Sequence, residues 1–239
     1  MPQLPKTLEE AIEQAQVATK AALDDGYTRL QVELQFAELK IMPVAQQFVP
    51  VFEPLGSQLR VYFPDAGSAA LARRDWGEKP YPIRGIRDLK SEIQPDEQLI
   101  LFVEPSSVEV QAVEQLCQEA GERPVVLLNP RLEDIVMIGI GLAGRQLRER
   151  FLNQFQSCYH LQPLEKAAIF RAYPSSWQVW IEKGGDPETD YELIAETPEK
   201  PVGEALDRIL NPAGDSTGAP PRRKGLLSSM QEFLRALSQ

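Results

Sequence analysis

Residues 99–128 read LILFVEPSSVEVQAVEQLCQEAGERPVVLL, and this stretch decides the fold. Leu99 to Val103 is a continuous apolar run without polar alternation, as expected of a strand covered on both faces in a parallel sheet. Ser106 and Ser107 can cap a helix in which Val110, Val113, Leu116 and Cys117 recur on one face. Gly121 ends that helix, and Pro124 to Leu128 gives a second continuous apolar strand. A strand, a helix and a strand of these lengths form a βαβ unit, in which the two strands lie parallel.

Outward from this unit the pattern extends in both directions. On the N-terminal side, Thr7 and Glu10 have capping-box spacing before a helix that ends near Asp25-Gly26. Leu30, Val32, Leu34 and Phe36 alternate as in a strand, and Leu59 to Phe63 reads as another. A short helix is expected between Pro43 and Pro50 and another from Gly67 to Arg74, while Ile83, Ile86 and Leu89 are expected to cover a sheet edge. On the C-terminal side a helix is expected over 142–156, with Leu147, Phe151, Leu152 and Phe155 facing inward. Four strand-like segments follow, Tyr159–Leu164, Ala167–Tyr173, Trp177–Lys183 and Tyr191–Glu196, joined by turn-forming residues. A short helix, Val202–Leu210, closes this part. The predicted fold class is α/β: a mixed sheet with a βαβ core flanked by helices and a C-terminal antiparallel meander.

Three segments are expected: a single α/β domain over 1–210, a flexible Pro/Gly spacer over 211–221, and an amphipathic docking helix over 222–239. The last opens with Arg222, Arg223 and Lys224. Leu226, Leu227, Met230, Phe233, Leu234 and Leu237 then share one helical face, which suits a protein groove, a membrane surface or the chain's own domain. The chain has 239 residues and a net charge of −10, which argues against nucleic acid as a partner, because a polyanion repels an acidic surface. No uncharged apolar run reaches the roughly 18 residues of a membrane span. Met1 to Glu10 lacks the basic and apolar regions of a secretory signal, so a cytoplasmic location is expected.

Chemical candidates are few. Gly139, Gly141 and Gly144 have the spacing of a dinucleotide fingerprint running into a helix, although they follow two well-defined strands instead of the first one. Arg145 and Arg148 fall on one helix face beyond them and can meet an acidic partner; Arg73, Arg74 and Trp76 form a second small basic and aromatic group. Asp65, Glu104 and Asn129 each follow a predicted strand, so they can line one sheet edge and a pocket there. His160 is the only histidine; on a strand it shares a side with Cys158. Cys117 and Cys158 both fall in helix-like segments and read as buried thiols, and Asp186, Glu188 and Asp190 lack the glycine and closing glutamate of a calcium loop. We expect no cofactor, no metal and no catalytic residue.

The order of elements resembles a known domain family. The residues that carry this are the Pro5–Ala22 helix, Leu59–Asp65 with its Pro-Asp end, Leu101–Pro105, Val125–Pro130, the Gly144-Arg145 helix with Phe151, and the Tyr159–Tyr173 strand pair. They are similar to an uncharacterised domain of cyanobacteria and chloroplasts, whose plant members include the low-photosystem-II-accumulation proteins; a similar domain occurs attached to a chloroplast adenylate kinase. The resemblance covers roughly Leu4 to Leu210. It implies a non-enzymatic accessory factor for assembly of a photosynthetic membrane complex, photosystem II in particular. The implied partner is a photosystem subunit or assembly intermediate, met at the cytoplasmic face of a thylakoid membrane with peripheral membrane contact. It carries no catalytic residue onto this sequence. The alternative is a nucleotide- or phosphate-binding enzyme or regulator that uses the Gly139–Gly144 turn.

Overall fold

The βαβ unit forms as its sequence requires. β4 (Leu99–Val103) and β5 (Val125–Leu128) are buried along their whole lengths and pair in parallel, Ile100 opposite Val125 through Val103 opposite Leu128. Between them α4 (Val110–Ala120) buries Val113, Leu116 and Cys117 against the sheet. The helix begins later than Ser106 and Ser107 suggest. Glu109 is its N-cap, and its carboxylate accepts from the backbone and the hydroxyl of Ser106, which stabilises the preceding turn. Two arginines close its other end: Arg29 donates to the carbonyls of Cys117 and Gly121, and Arg123 to those of Glu119 and Ala120. These are the carbonyls that a helix C-terminus leaves without an internal donor.

The computed structural model describes residues 3–89, 91–132, 142–183 and 191–211. Before the βαβ unit come α1 (Leu8–Asp24), β1 (Arg29–Leu34), α2 (Ile41–Phe48), a 3-10 stretch (Val49–Gln58), β2 (Leu59–Phe63), α3 (Ala66–Trp76) and β3 (Ile83–Gly85). After it come α5 (Leu142–Arg150), a 3-10 turn (Leu152–Gln154), β6 (Gln156–Leu164), β7 (Ala167–Ala172), β8 (Trp177–Glu182), β9 (Tyr191–Thr197) and α6 (Glu204–Leu210). Among the described residues the strands form one nine-stranded sheet in the order β3-β2-β4-β5-β1-β6-β7-β8-β9. It is parallel from β3 to β6 and antiparallel from β6 to β9. The expected α/β class, βαβ core and C-terminal meander are therefore all present.

Two hydrophobic layers cover the parallel part. On one face α1, α2 and α3 pack on Leu30, Val32, Val61, Leu101 and Val126. On the other, α4 and α5 pack on Tyr62, Ile100, Phe102 and Leu127. Each fully buried Leu, Val or Phe stabilises the fold by about 2 kcal/mol. The N-terminal edge of the parallel strands is tied by an ion pair between Arg60 and Glu97 at 2.6 Å, with both side chains 5% exposed or less.

Several local expectations are corrected. Ile83 belongs to the edge strand itself, and Leu89 is fully exposed instead of covering an edge. The helix expected over 142–156 ends at Arg150, because a 3-10 turn redirects the chain into β6. Cys158 lies on β6, not on a helix. The Thr7 hydroxyl accepts from the Glu10 N–H as a cap should, but the Glu10 carboxylate reaches back to the N–H of Lys6, one residue beyond a capping box. The spacer beyond Asn211, the terminal helix expected over 222–239 and the acidic turn at Asp186–Asp190 lie outside the described residues.

Candidate functional site

β1 is the strand that makes a site. It sits in the interior of the sheet between β5 and β6, yet it alternates in burial like a half-solvated strand. Leu30, Val32 and Leu34 join the core under α1. The opposite face of the same strand carries Arg29, Gln31 and Glu33. A polar face on an interior strand must find internal partners, since an unpaired buried polar group costs roughly 1–3 kcal/mol.

Glu33 is the centre of that network. Its Oε2 accepts from the Ser157 hydroxyl at 2.9 Å and from the Gln31 amide at 3.2 Å, and its Oε1 accepts from the Gln35 amide at 3.2 Å. His160 is fully buried, with Nδ1 3.0 Å from Oε2; this is ionic range, although the ring N–H does not point straight at the oxygen. Nε2 lies 3.4 Å from the Gln162 amide oxygen. Burial alone would push the Glu33 carboxyl up; His160, the charge of Lys200 and the Ser157 hydroxyl outweigh it and hold the carboxyl down at about 2. Beyond His160 the indole of Trp177 lies edge-on at 5.0 Å, with the Arg171 guanidinium 5.3 Å and the Lys200 ammonium 5.7 Å from its ring centre.

A β-bulge orders this cluster. Gln31 pairs with Ser157 and Val32 with Tyr159, so Cys158 is the extra residue of β6. The bulge places Cys158 and His160 on opposite faces, which corrects the expectation that they share a side. Cys158 faces α1, 3.5 Å from the Thr19 hydroxyl, and burial pushes its thiol up to about 11. Cys117 is likewise pushed up by burial, to about 12. Both are buried thiols, as expected. A Ser–His–acid catalytic arrangement places the imidazole between hydroxyl and acid. Here the carboxylate takes that central place, and the Ser157 hydroxyl donates to it directly.

The network borders a cleft at the C-terminal edge of the parallel strands. The chain leaves β1 toward the α1 face through α2, and leaves β5 toward the α4 face through α5. Divergence of neighbouring connections opens a crevice, the usual ligand position in such sheets. A cavity of about 730 Å³ lies there, lined by residues 33–39, 129–131 and 162–165. A second, of about 700 Å³, extends over the other side of Glu33 toward Asn153 and Lys200. Both share Glu33, Gln35, Pro130 and Arg131.

The expected strand-end residues divide. Asn129 lines the cleft; its Oδ1 accepts from the Leu34 N–H at 3.0 Å and fixes the start of the loop after β1. Glu104 stands one strand away and pairs with the cleft residue Arg131 at 2.7 Å; burial pushes its carboxyl up, against the pull of Arg131. Glu104 and Asn129 both hold positive φ, 46° and 51°, each just before a proline. Such backbone is uncommon outside glycine and gathers at functional edges. Asp65, by contrast, is the N-cap of α3, accepting from the backbone and hydroxyl of Ser68 at 2.9 and 2.8 Å, and it does not line the cleft. Gly144 is buried in the first turn of α5, while Gly139 and Gly141 lie outside the described residues.

The basic candidates separate as well. Arg145 is exposed on α5 and Arg148 half-buried; Arg150 pairs with Glu114 of α4 at 2.7 Å. Arg73 donates to the Ile83 carbonyl and Arg74 pairs with Asp75, so that group ties down local structure. Arg222, Arg223, Lys224, Leu227, Met230, Phe233, Leu234 and Leu237 lie outside the described residues. Sequence reasoning missed Glu33, Gln35, Ser157 and Gln162. The available signal was the polar half of the Arg29–Leu34 alternation, which becomes informative only once β1 is known to be interior.

Residues 5–208 match the family described as a domain of unknown function, DUF1995. The chain belongs to that family. The matched span runs from just before α1 into α6, so it includes every described strand and the cleft. No helix among the described residues is long and apolar enough to cross a membrane. Nor do three His, Cys, Asp or Glu side chains gather among them in a way that would hold a metal ion.

Proposed function

We propose that this DUF1995 protein is a non-enzymatic accessory factor that helps assemble a photosynthetic membrane complex, photosystem II in particular, by docking to a protein partner. The observation that carries this reading is family membership over residues 5–208, which falls within the stretch, roughly Leu4 to Leu210, that resembles a domain family whose plant members include the low-photosystem-II-accumulation proteins. The chemistry of the described site agrees with it. The one histidine and its neighbouring serine both attend a single carboxylate, and the thiols are pushed out of the reactive range. In this reading the strand-end loops and the Arg145–Arg148 face of α5 meet the partner. The basic-led tail over 222–239 adds a weak second attachment, which raises the local concentration of the partner. The site of action is the cytoplasmic face of the thylakoid, with peripheral contact only.

The test is affinity capture from a photosynthetic host, with the full chain and with residues 222–239 removed. The expected result is co-purification of a photosystem subunit or assembly intermediate, reduced by the deletion and by Arg145→Glu with Arg148→Glu. Capture of no photosystem component by the full chain overturns the reading. Calorimetric binding of a nucleotide or dinucleotide would instead favour the phosphate-ligand alternative at Gly139–Gly144.

A further inference from the structure

We infer that the cleft between β1, β5 and β6 binds a cationic nitrogen group, an alkylammonium or a guanidinium, anchored on Glu33. The proposal concerns what the cleft holds and does not depend on the accessory role. Its volume, about 730 Å³, suits a small ligand or one or two side chains of a larger one. Charge selects the ligand. Glu33, Glu38 and Glu165 line the cleft; the described cations beside it are Arg131, which Glu104 already holds at 2.7 Å, and Lys200, which lies across Glu33 in the adjoining cavity, so acidic side chains predominate on the cleft side. A cationic ligand is therefore attracted and an anionic one repelled.

Glu33 is also built as an anchor. Three neighbours, Ser157, Gln31 and His160, converge on Oε2, whereas Oε1 receives the Gln35 amide at 3.2 Å and keeps acceptor capacity for a further donor. The carboxylate is thus fixed in orientation before a ligand arrives, which lowers the ordering cost of binding. Burial in the wall strengthens a charge-assisted hydrogen bond relative to one in water. The flanking apolar surface of Phe36, Leu39 and Pro163 suits the alkyl stem that carries such a nitrogen.

The experiment is titration calorimetry of the full chain with three probes: the diamine putrescine, a short Lys- and Arg-containing peptide, and the dianion glutarate as control. We expect saturable binding of one cationic probe and none of glutarate. Binding of the diamine alone identifies a free amine as the ligand; binding of the peptide alone identifies a protein side chain. Glu33→Gln is expected to weaken the bound probe about tenfold or more, the effect of losing a charged hydrogen-bond partner. Leu39→Trp adds bulk at a lining residue outside the hydrogen bonds to Glu33 and is expected to abolish binding while the circular dichroism spectrum stays unchanged. It decides the matter if Glu33→Gln does not fold. Silence from both cationic probes, equal binding to wild type and Leu39→Trp, or binding of glutarate overturns the inference. Partner capture is read separately, so intact capture with no cation binding defeats this inference alone.

Discussion

Glu33 carries a charge inside the molecule because three neighbours favour the ionised form more than burial opposes it. The consequence is a pH dependence with a definite sign. A carboxyl held at about 2 in the fold, against an ordinary 4.5, contributes stability that is complete above about pH 4.5 and is lost as pH falls through about 2. That shift corresponds to roughly 3 kcal/mol. Urea denaturation at a series of pH values is expected to show wild type losing more stability than Glu33→Gln across this window; parallel slopes would contradict it. Gly85 stands where a side chain has no room. A Cβ there would meet the backbone of Asp65 and Ala66 at 2.8 Å, where β3 passes the start of α3. Gly85→Ala is expected to destabilise by about 1–3 kcal/mol, the usual cost of overpacking, and a denaturation midpoint equal to wild type would refute it.

At the scale of elements, capping and site roles come apart. Asp65 caps α3, so Asp65→Ala is expected to cost about 1 kcal/mol of stability while leaving partner capture unchanged. A loss of capture without loss of stability would return Asp65 to the site. The elements were largely legible in the sequence, since β4 and β5 are unbroken apolar runs, α4 has a clean helical period and the meander is punctuated by turn-forming residues. What was hidden depends on neighbours. The bulge at Cys158 follows from the pairing of β6 with β1 and has no local marker, and one extra residue reverses the face of every side chain beyond it. The polar half of β1 carries no local sign of its internal position, because alternation does not tell where a strand sits in its sheet. Of the proposed strand-end trio, Asn129 reaches the cleft and Asp65 does not, because β2 is separated from β1 by β4 and β5.

At the scale of the whole molecule, both hydrophobic layers are built, among the described residues, from positions before 181. Removal of 212–239 is therefore expected to leave the melting temperature within about 2 °C of wild type, since a change of 1 kcal/mol moves a domain of this size by about 2–4 °C. A larger drop in a thermal scan would mean that the terminal segment packs on the domain. The position of β1 also bears on how the chain acquires its shape during synthesis. β1 is made early, but its two hydrogen-bonding neighbours are β5 and β6, about a hundred residues later. Until the ribosome has released the chain through Leu164, β1 has at least one open edge and Glu33 lacks Ser157 and His160. A nascent chain of this protein thus carries a strand with an open edge for most of its elongation, the kind of exposed backbone on which misassembly starts.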